Sequence, residues 1–319
     1  MTSEGRAVTA VVVSWNVRDY LRRCLESLRV AAVETALEVW VVDNGSSDGS
    51  ALMVQQEFSE VHLLANGDNR GFAAANNQAM QVSAGQYVLL LNPDAELGVD
   101  ALAALCRYLD DHPQVAVVGP QLRYADGSVQ PSRRRAPRLA TGFVESTQVQ
   151  QRWPRSWLTN RYYITDRSEK EEQPVDWLVG ACLLVRRAAI DAVGLLDEGF
   201  RLYSEELEWC VRFRRAGWGV VYLPTAQVLH HEGQSSGQDV FHRHLHHHQS
   251  KYRLYTLLFG RPAAAVLRLW IALLYLEQFA EELAKLALVR RNRMLRRQRL
   301  RVVARMLLWH ITGWPVVTL

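Results

Sequence analysis

Apolar and polar positions along this chain follow two periods. The runs "VTAVVVSW", "ALEVWVVDN", "EVHLLA", "QYVLLLNPD" and "QVAVVGPQL" are short and rich in β-branched residues, which predicts buried strands. Helical patterns lie between them. "DYLRRCLESLRVAA" brings Leu21, Cys24, Leu25 and Leu28 onto one face, and further helices are predicted over "GFAAANNQAMQVSA" and from Asp100 to Leu109. Strand–helix alternation of this kind predicts an α/β fold, a mostly parallel central sheet with covering helices. In such sheets ligands sit at the carboxyl ends of the strands, so the turns "DNGSSD" and "NPDAEL" are where chemistry is expected.

The alternation stops between Pro131 and Pro174. That stretch opens on the basic "PSRRRAPR", carries Trp153, Trp157, Tyr162 and Tyr163, and closes on the acidic "DRSEKEEQP". Long irregular segments are usually lids or binding loops, so 131–174 is expected to be a flexible acceptor-side loop within a first domain spanning 1–236. Order resumes with "VDWLVGACLLVRR", an acidic helix around "LYSEELEWCVRF" and "GVVYLPTAQVLHHEGQSS". From 237 to 319 the pattern is helical and amphipathic, with breaks near Gly260–Pro262 and Gly313–Pro315.

Charge changes the picture of that last segment. The whole chain carries only +4, yet no Asp or Glu occurs from Leu283 to Leu319, while Arg290, Arg291, Arg293, Arg296, Arg297, Arg299, Arg301 and Arg305 crowd together. With Trp270, Trp309 and Trp314 nearby, the segment fits an interfacial helix on an anionic membrane surface; a helical packing or dimerisation domain is the alternative. No nucleic-acid recognition fold accompanies the arginines. "AAAVLRLWIALLYLEQFA" is interrupted by Arg268 and Glu277 and falls short of the roughly 20 apolar residues of a spanning helix, and the N-terminus shows no signal-peptide pattern. Cys24, Cys106, Cys182 and Cys210 are scattered without a CxxC pair, as expected of reduced core thiols in a cytoplasmic protein.

Candidate chemistry concentrates in a few places. Asp43 ends a strand, followed by Asn44, Gly45, Ser46 and Asp48. Such a carboxylate can accept hydrogen bonds from a ribose or base edge, although a turn capped by Asp48 or Ser50 accounts for the same residues. No GxGxxG or Gly-Lys-Ser/Thr loop is present, so dinucleotide and P-loop sites lose their main support. "LLLNPDAEL" runs an apolar strand into Asn92 and Asp94; Mg²⁺ takes one or two carboxylates plus substrate phosphates, and Asp94 suits that role or a turn cap. His230 and His231 follow a later strand. "HRHLHHH" could bind metal adventitiously through His244, His247 and His248. In the acidic helix, Glu205 and Glu208 share a face with Arg212 in reach, so these three could be scaffolding, which leaves Glu206 with no assigned local partner.

In their order, "SWN…LRRCLESL", "VWVVDNGSSDGS", "DNRGFAAANNQA", "LLLNPDAEL", "VDWLVGACLLVRRAAIDAVGLLDEGF" and "LHHEGQSS" resemble the family 2 glycosyltransferases of the GT-A fold, in their bacterial rhamnosyltransferase-like branch, over about Val8 to Ser235. The resemblance implies a nucleotide-sugar site from Asp43, Asn44, Ser46, Asp48, Asn69, Gly71, Asn92, Gly180 and Ala181, and a Mg²⁺ or Mn²⁺ ion held by Asp94 and His230. It places the catalytic base on Glu206, where the family's helix has Asp, one methylene shorter. The expected activity is inverting, metal-dependent transfer of a sugar, first rhamnose, from a dTDP- or UDP-linked donor to a lipid-linked or polysaccharide acceptor in cell-envelope glycan synthesis. The expected location is cytoplasmic and peripheral, on the inner face of the membrane, with a homo-oligomer possible. A non-catalytic nucleotide-sugar binder and a nucleotidyltransferase are the alternatives.

Overall fold

A computed structural model describes residues 8–32, 36–288 and 293–313. Arg290, Arg291 and Trp314 of the basic tail, and the break expected at Pro315, lie outside them. The chain forms two compact units, each described by itself. One comprises the residues up to Ala136 together with Tyr163–Ser235, and the other Pro137–Tyr162 together with the residues from Ser236 on.

The first unit begins β1 (Val8–Ser14), α1 (Arg18–Ala31), β2 (Leu37–Asp43), α2 (Ser50–Glu57), β3 (His62–Ala65), α3 (Phe72–Val82) and β4 (Tyr87–Leu91). Strands β1 to β4 pair in parallel in the order β3-β2-β1-β4. β1 and β4 are buried along their whole length, which is why they read as largely apolar runs. Leu21, Cys24, Leu25 and Leu28 are all buried, as the spacing predicts.

The unit continues through β5 (Ala95–Leu97), α4 (Ala101–Asp111), β6 (Val115–Arg123), β7 (Val129–Gln130) and β8 (Arg133–Arg134). In the second unit the chain then makes three short helices, α5 (Thr141–Val144), α6 (Gln148–Arg152) and α7 (Trp157–Tyr162). It returns to the first unit as β9 (Gln173–Pro174), β10 (Trp177–Leu178), β11 (Cys182–Arg186), α8 (Arg187–Val193), α9 (Glu205–Arg215) and β12 (Gly219–His230). β11 lies antiparallel between β4 and β6, and β12 runs parallel to β6 and antiparallel to β5. The sheet is therefore mixed, with parallel pairing through its first half.

Backbone geometry tightens two places near the strand ends. Gly71 has φ +88°, and a Cβ there would stand 2.6 Å from the Arg201 carbonyl oxygen, so only glycine fits. α1 has no side-chain cap of its own; Asp48 reaches across to accept the Arg18 N–H at 2.8 Å while its other oxygen takes the N–H and hydroxyl of Ser50.

The second unit is completed by α10 (Val240–Phe259), α11 (Arg261–Leu288) and α12 (Arg293–Thr312). Gly260, at φ +87°, makes the break expected near Gly260–Pro262. α11 corrects one expectation. It is a single helix long and apolar enough to cross a membrane by length and composition alone; Arg268 does not interrupt it, because its guanidinium donates to the Trp309 carbonyl at 3.1 Å and lies over the Trp309 ring. Inside the unit, His248 bonds Tyr275 at 3.0 Å and His310 bonds Tyr252 at 3.1 Å, with the two imidazoles 5.0 Å apart. Of the "HRHLHHH" residues, His242 pairs with Asp239 and His246 with Gln249. No metal-holding cluster of three forms among the described residues.

Burial, and secondarily the charges of His247 and Arg268 respectively, push the His248 imidazole well below its ordinary value and His310 to about 4. An imidazole depressed in the folded state gives its full stability above about pH 6.5, and that stability declines as pH falls from there toward the folded value. The melting temperature of the full chain should therefore drop between pH 6.5 and pH 4, and His310→Phe should flatten that slope. Parallel slopes for the two proteins in pH-series thermal melts would refute the assignment.

Candidate functional site

The parallel strands deliver polar residues to one edge of the sheet. Ser14 and Asp43 are register partners at the ends of β1 and β2. Asp43 is buried, with one oxygen accepting the Ser46 N–H at 3.0 Å. Its other oxygen and the Ser14 hydroxyl are buried with no hydrogen-bond partner among the described residues. Two such orphaned atoms side by side ask for a polar ligand. Asn44 is fixed by the Gly71 carbonyl at 3.1 Å and by Asn66 at 3.0 Å. The Ser46 hydroxyl accepts the Asn16 N–H, and Asn69 accepts the Gly71 N–H. Asp48 has both oxygens committed to the turn and to α1, so it shapes the loop.

β4 carries the chain to Asn92 and Asp94 on the same edge. The Asn92 N–H donates to the Ala181 carbonyl at 2.9 Å, which ties this loop to the start of β11. Asp94 and His230 are both buried, with Asp94 Oδ1 3.3 Å from His230 Nε2. The Asn92 side-chain amide lies 3.4 Å from the same nitrogen, and the other ring nitrogen meets Gln130 Oε1 at 2.8 Å. His231 turns away to Glu96 at 2.9 Å. A hard cation with few protein ligands fits this donor set. One carboxylate oxygen and one imidazole nitrogen converge at a separation suited to adjacent ligands, leaving remaining positions for substrate oxygens and water.

The acidic helix resolves differently from its sequence pattern. Glu208 pairs with Arg212 at 2.9 Å, and Arg212 also ties down the carbonyls of Val193 and Leu195. Glu205 takes no part in that scaffold. It falls on the face of Trp209 and Phe213, at i, i+4 and i+8, and is buried with them. Burial, then the neighbouring Glu206 carboxylate, push it well above the usual range. Glu206 is partly buried against Gly180, whose position would bring a Cβ within 3.4 Å of the glutamate chain. Burial raises Glu206 as well, offset in part by the backbone N–H groups of Gly180 and Leu207 and by the charge of Arg134. One oxygen of each glutamate is buried without a hydrogen-bond partner among the described residues. The helix starts from two consecutive left-handed residues, Tyr203 and Ser204.

A model of the family described as glycosyl transferase family 2 matches residues 9–194. The chain belongs to glycosyltransferase family 2. Among curated relatives of this glycosyltransferase, the N-acetylglucosaminyl-diphospho-decaprenol L-rhamnosyltransferase of Mycobacterium tuberculosis is 37% identical over 254 residues, covering 76% of this chain and 81% of the relative. Rhamnosyltransferase WbbL of Escherichia coli K12 is 27% identical over 252 residues, or 75% and 89% of the two chains. Among solved structures, the mannosyltransferase PcManGT from Pyrobaculum calidifontis, in complex with GDP-Man and Mn²⁺, superposes with a TM-score of 0.55 at 18% identity, covering 96% of this chain and 88% of the other. The fold of this family 2 enzyme is GT-A, followed by a helical C-terminal segment.

Ser14, Gln130 and Arg134 lie against the candidate site residues without having been picked out from sequence. Ser14 left a faint signal, a hydroxyl closing an otherwise apolar strand. Gln130 left none, since it meets a histidine 100 positions away. Because an acid raised in the folded state costs stability as pH climbs above its unfolded value, the Glu205 carboxyl should weaken the fold progressively from about pH 4.5 upward. Glu205→Gln should gain melting temperature over wild type at pH 8 and little at pH 4.5. An equal difference at both pH values would contradict the burial argument.

Proposed function

We propose that this glycosyltransferase moves a sugar, rhamnose first among candidates, from a dTDP- or UDP-linked donor to a lipid-linked glycan acceptor, with inversion and with a Mg²⁺ or Mn²⁺ ion, in cell-envelope glycan synthesis. The observation that carries the mechanism is Glu206. It is a carboxylate at the start of α9 with an unpartnered oxygen, backed by Gly180, and Gly180 adjoins Ala181, which is bonded to the loop of Asp94. Support for rhamnose and for a lipid-linked acceptor comes from the activities for which the relatives are named.

In this mechanism Asp43 and Ser14 receive the base and ribose, with Asn44, Ser46, Asn69 and Gly71 shaping the pocket floor and Asp48 holding the turn. Asn92, Gly180 and Ala181 line the sugar. Asp94 and His230 would hold the cation, which when bound offsets the charge of the departing diphosphate. Glu206 takes the proton from the acceptor hydroxyl as its oxygen attacks the anomeric carbon. Its raised proton affinity brings it nearer the operating pH, where a general base works best. The acid limb of the rate profile should then lie above the ordinary glutamate range.

The acceptor class gives the second unit a role at the inner face of the membrane. Val266, Leu269, Leu273, Leu276 and Leu283 repeat along α11 at spacings of three, four and seven and are about half exposed or more. α12 adds Arg293, Arg297, Arg299, Arg301 and Arg305 on exposed positions. Apolar area combined with clustered arginine is how interfacial helices hold an anionic bilayer. The wild type should float with vesicles containing phosphatidylglycerol and not with neutral phosphatidylcholine vesicles. Replacing Arg297, Arg299 and Arg301 by Gln should abolish flotation; salt-insensitive flotation, or an exposed stripe consumed in a dimer by light scattering, would count against it.

The decisive assay is sugar transfer from a donor panel to a lipid-diphosphate glycan with Mg²⁺ or Mn²⁺. Glu206→Gln should lower kcat by roughly 10²–10⁴-fold with donor binding retained. Equal transfer by both proteins would remove Glu206 from the role of base. Donor binding without transfer by wild type, across a broad acceptor set, would favour a non-catalytic binder.

A further inference from the structure

A buried hydrogen bond backs His230 on the side away from Asp94. His230 Nδ1 lies 2.8 Å from Gln130 Oε1, with both residues about 95% buried. An amide oxygen can only accept, so the imidazole must donate from Nδ1. With Gln130 Oε1 as the acceptor, the proton on that side of the ring is determined.

The consequence falls on Nε2. With the proton of the neutral ring on Nδ1, the Nε2 lone pair points toward Asp94 Oδ1 at 3.3 Å and accepts from the Asn92 amide at 3.4 Å. Two lone pairs facing each other across that gap repel unless a proton or a metal cation lies between them. Outer partners that fix a ligand's tautomer commonly set metal affinity as strongly as this.

We propose that Gln130 is a positioning residue that locks His230 in its Nδ1–H tautomer and so presents Nε2 as a ligand to a divalent cation beside Asp94. This rests on the metal role given to Asp94 and His230 above, and it extends the site to β7.

The test reads the tautomer directly. Full-length protein with ¹⁵N-labelled histidine, metal-free and at a pH where the ring is neutral, should give long-range ¹⁵N–¹H correlations of an Nδ1–H ring for His230, assigned by their loss in His230→Ala. Gln130→Leu should move His230 to the Nε2–H form or a mixture and weaken Mn²⁺ binding, measured by electron paramagnetic resonance with a nucleoside diphosphate present, by roughly 10–100-fold. Gln130→Glu, which still accepts from Nδ1, should preserve both signals and so separates positioning from loss of packing. An Nε2–H ring in the wild type, or an unchanged tautomer in Gln130→Leu, overturns the proposal. If instead the tautomer behaves as expected while His230→Ala binds Mn²⁺ as well as wild type, His230 is not a ligand. That outcome rejects the metal role and with it the purpose assigned to Gln130.

Discussion

The site depends on one antiparallel strand placed inside a parallel sheet. β11 pairs with β4 so that Cys182 faces Leu91, and one step beyond the ladder the Asn92 N–H reaches the Ala181 carbonyl. That single hydrogen bond joins two loops that carry different chemistry. On one side are Asn92 and Asp94; on the other is Gly180, against which Glu206 rests. Had β11 run parallel, its start would lie at the opposite edge of the sheet, and the segment before it could not meet the end of β4. Reversing one strand gathers Asp94 and Glu206 at one edge while leaving the parallel strands to deliver Asp43.

Burial then separates carboxylates whose oxygens are all engaged from those that keep one unsatisfied. Asp48 and Glu208 are saturated, the first by backbone N–H groups and a hydroxyl, the second by an arginine that itself holds two loop carbonyls. Asp43, Glu205 and Glu206 each keep an oxygen buried and unpartnered among the described residues. Leaving a buried polar atom unsatisfied costs roughly 1–3 kcal/mol. Glu205 is the odd member: it faces the core beside Trp209 and Phe213, where burial raises its proton affinity.

Much of this was legible in the sequence because the strands are short, apolar and separated by helices of clear period. Leu21, Cys24, Leu25 and Leu28 fall where their spacing puts them, and Asp43 and Asp94 stand at strand ends as a parallel sheet requires. Helical phase misled at Glu205. Residues 205, 208 and 212 look contiguous on a wheel, but the neighbouring core claims the 205–209–213 face, and nothing in a local pattern says which of two faces turns inward. Gln130 was beyond reach for another reason: its partner lies far along the chain and is set by the β6–β7 hairpin and the end of β12 together. α11 illustrates a third limit, since two charges in an apolar run look like interruptions until one of them is seen to be absorbed by a neighbouring helix.

The contact between Gly71 and Arg201 has a consequence for how this enzyme can vary. The Arg201 carbonyl accepts the Phe72 N–H at 2.8 Å, its guanidinium holds the Asn69 carbonyl at 2.7 Å, and it stands where any side chain at position 71 would have to go. Arg201 precedes by a few residues the strained entry to the helix of Glu206. A side chain added at position 71 would therefore have to displace the Arg201 backbone a few residues ahead of that helix, although some 130 residues of chain separate the two positions.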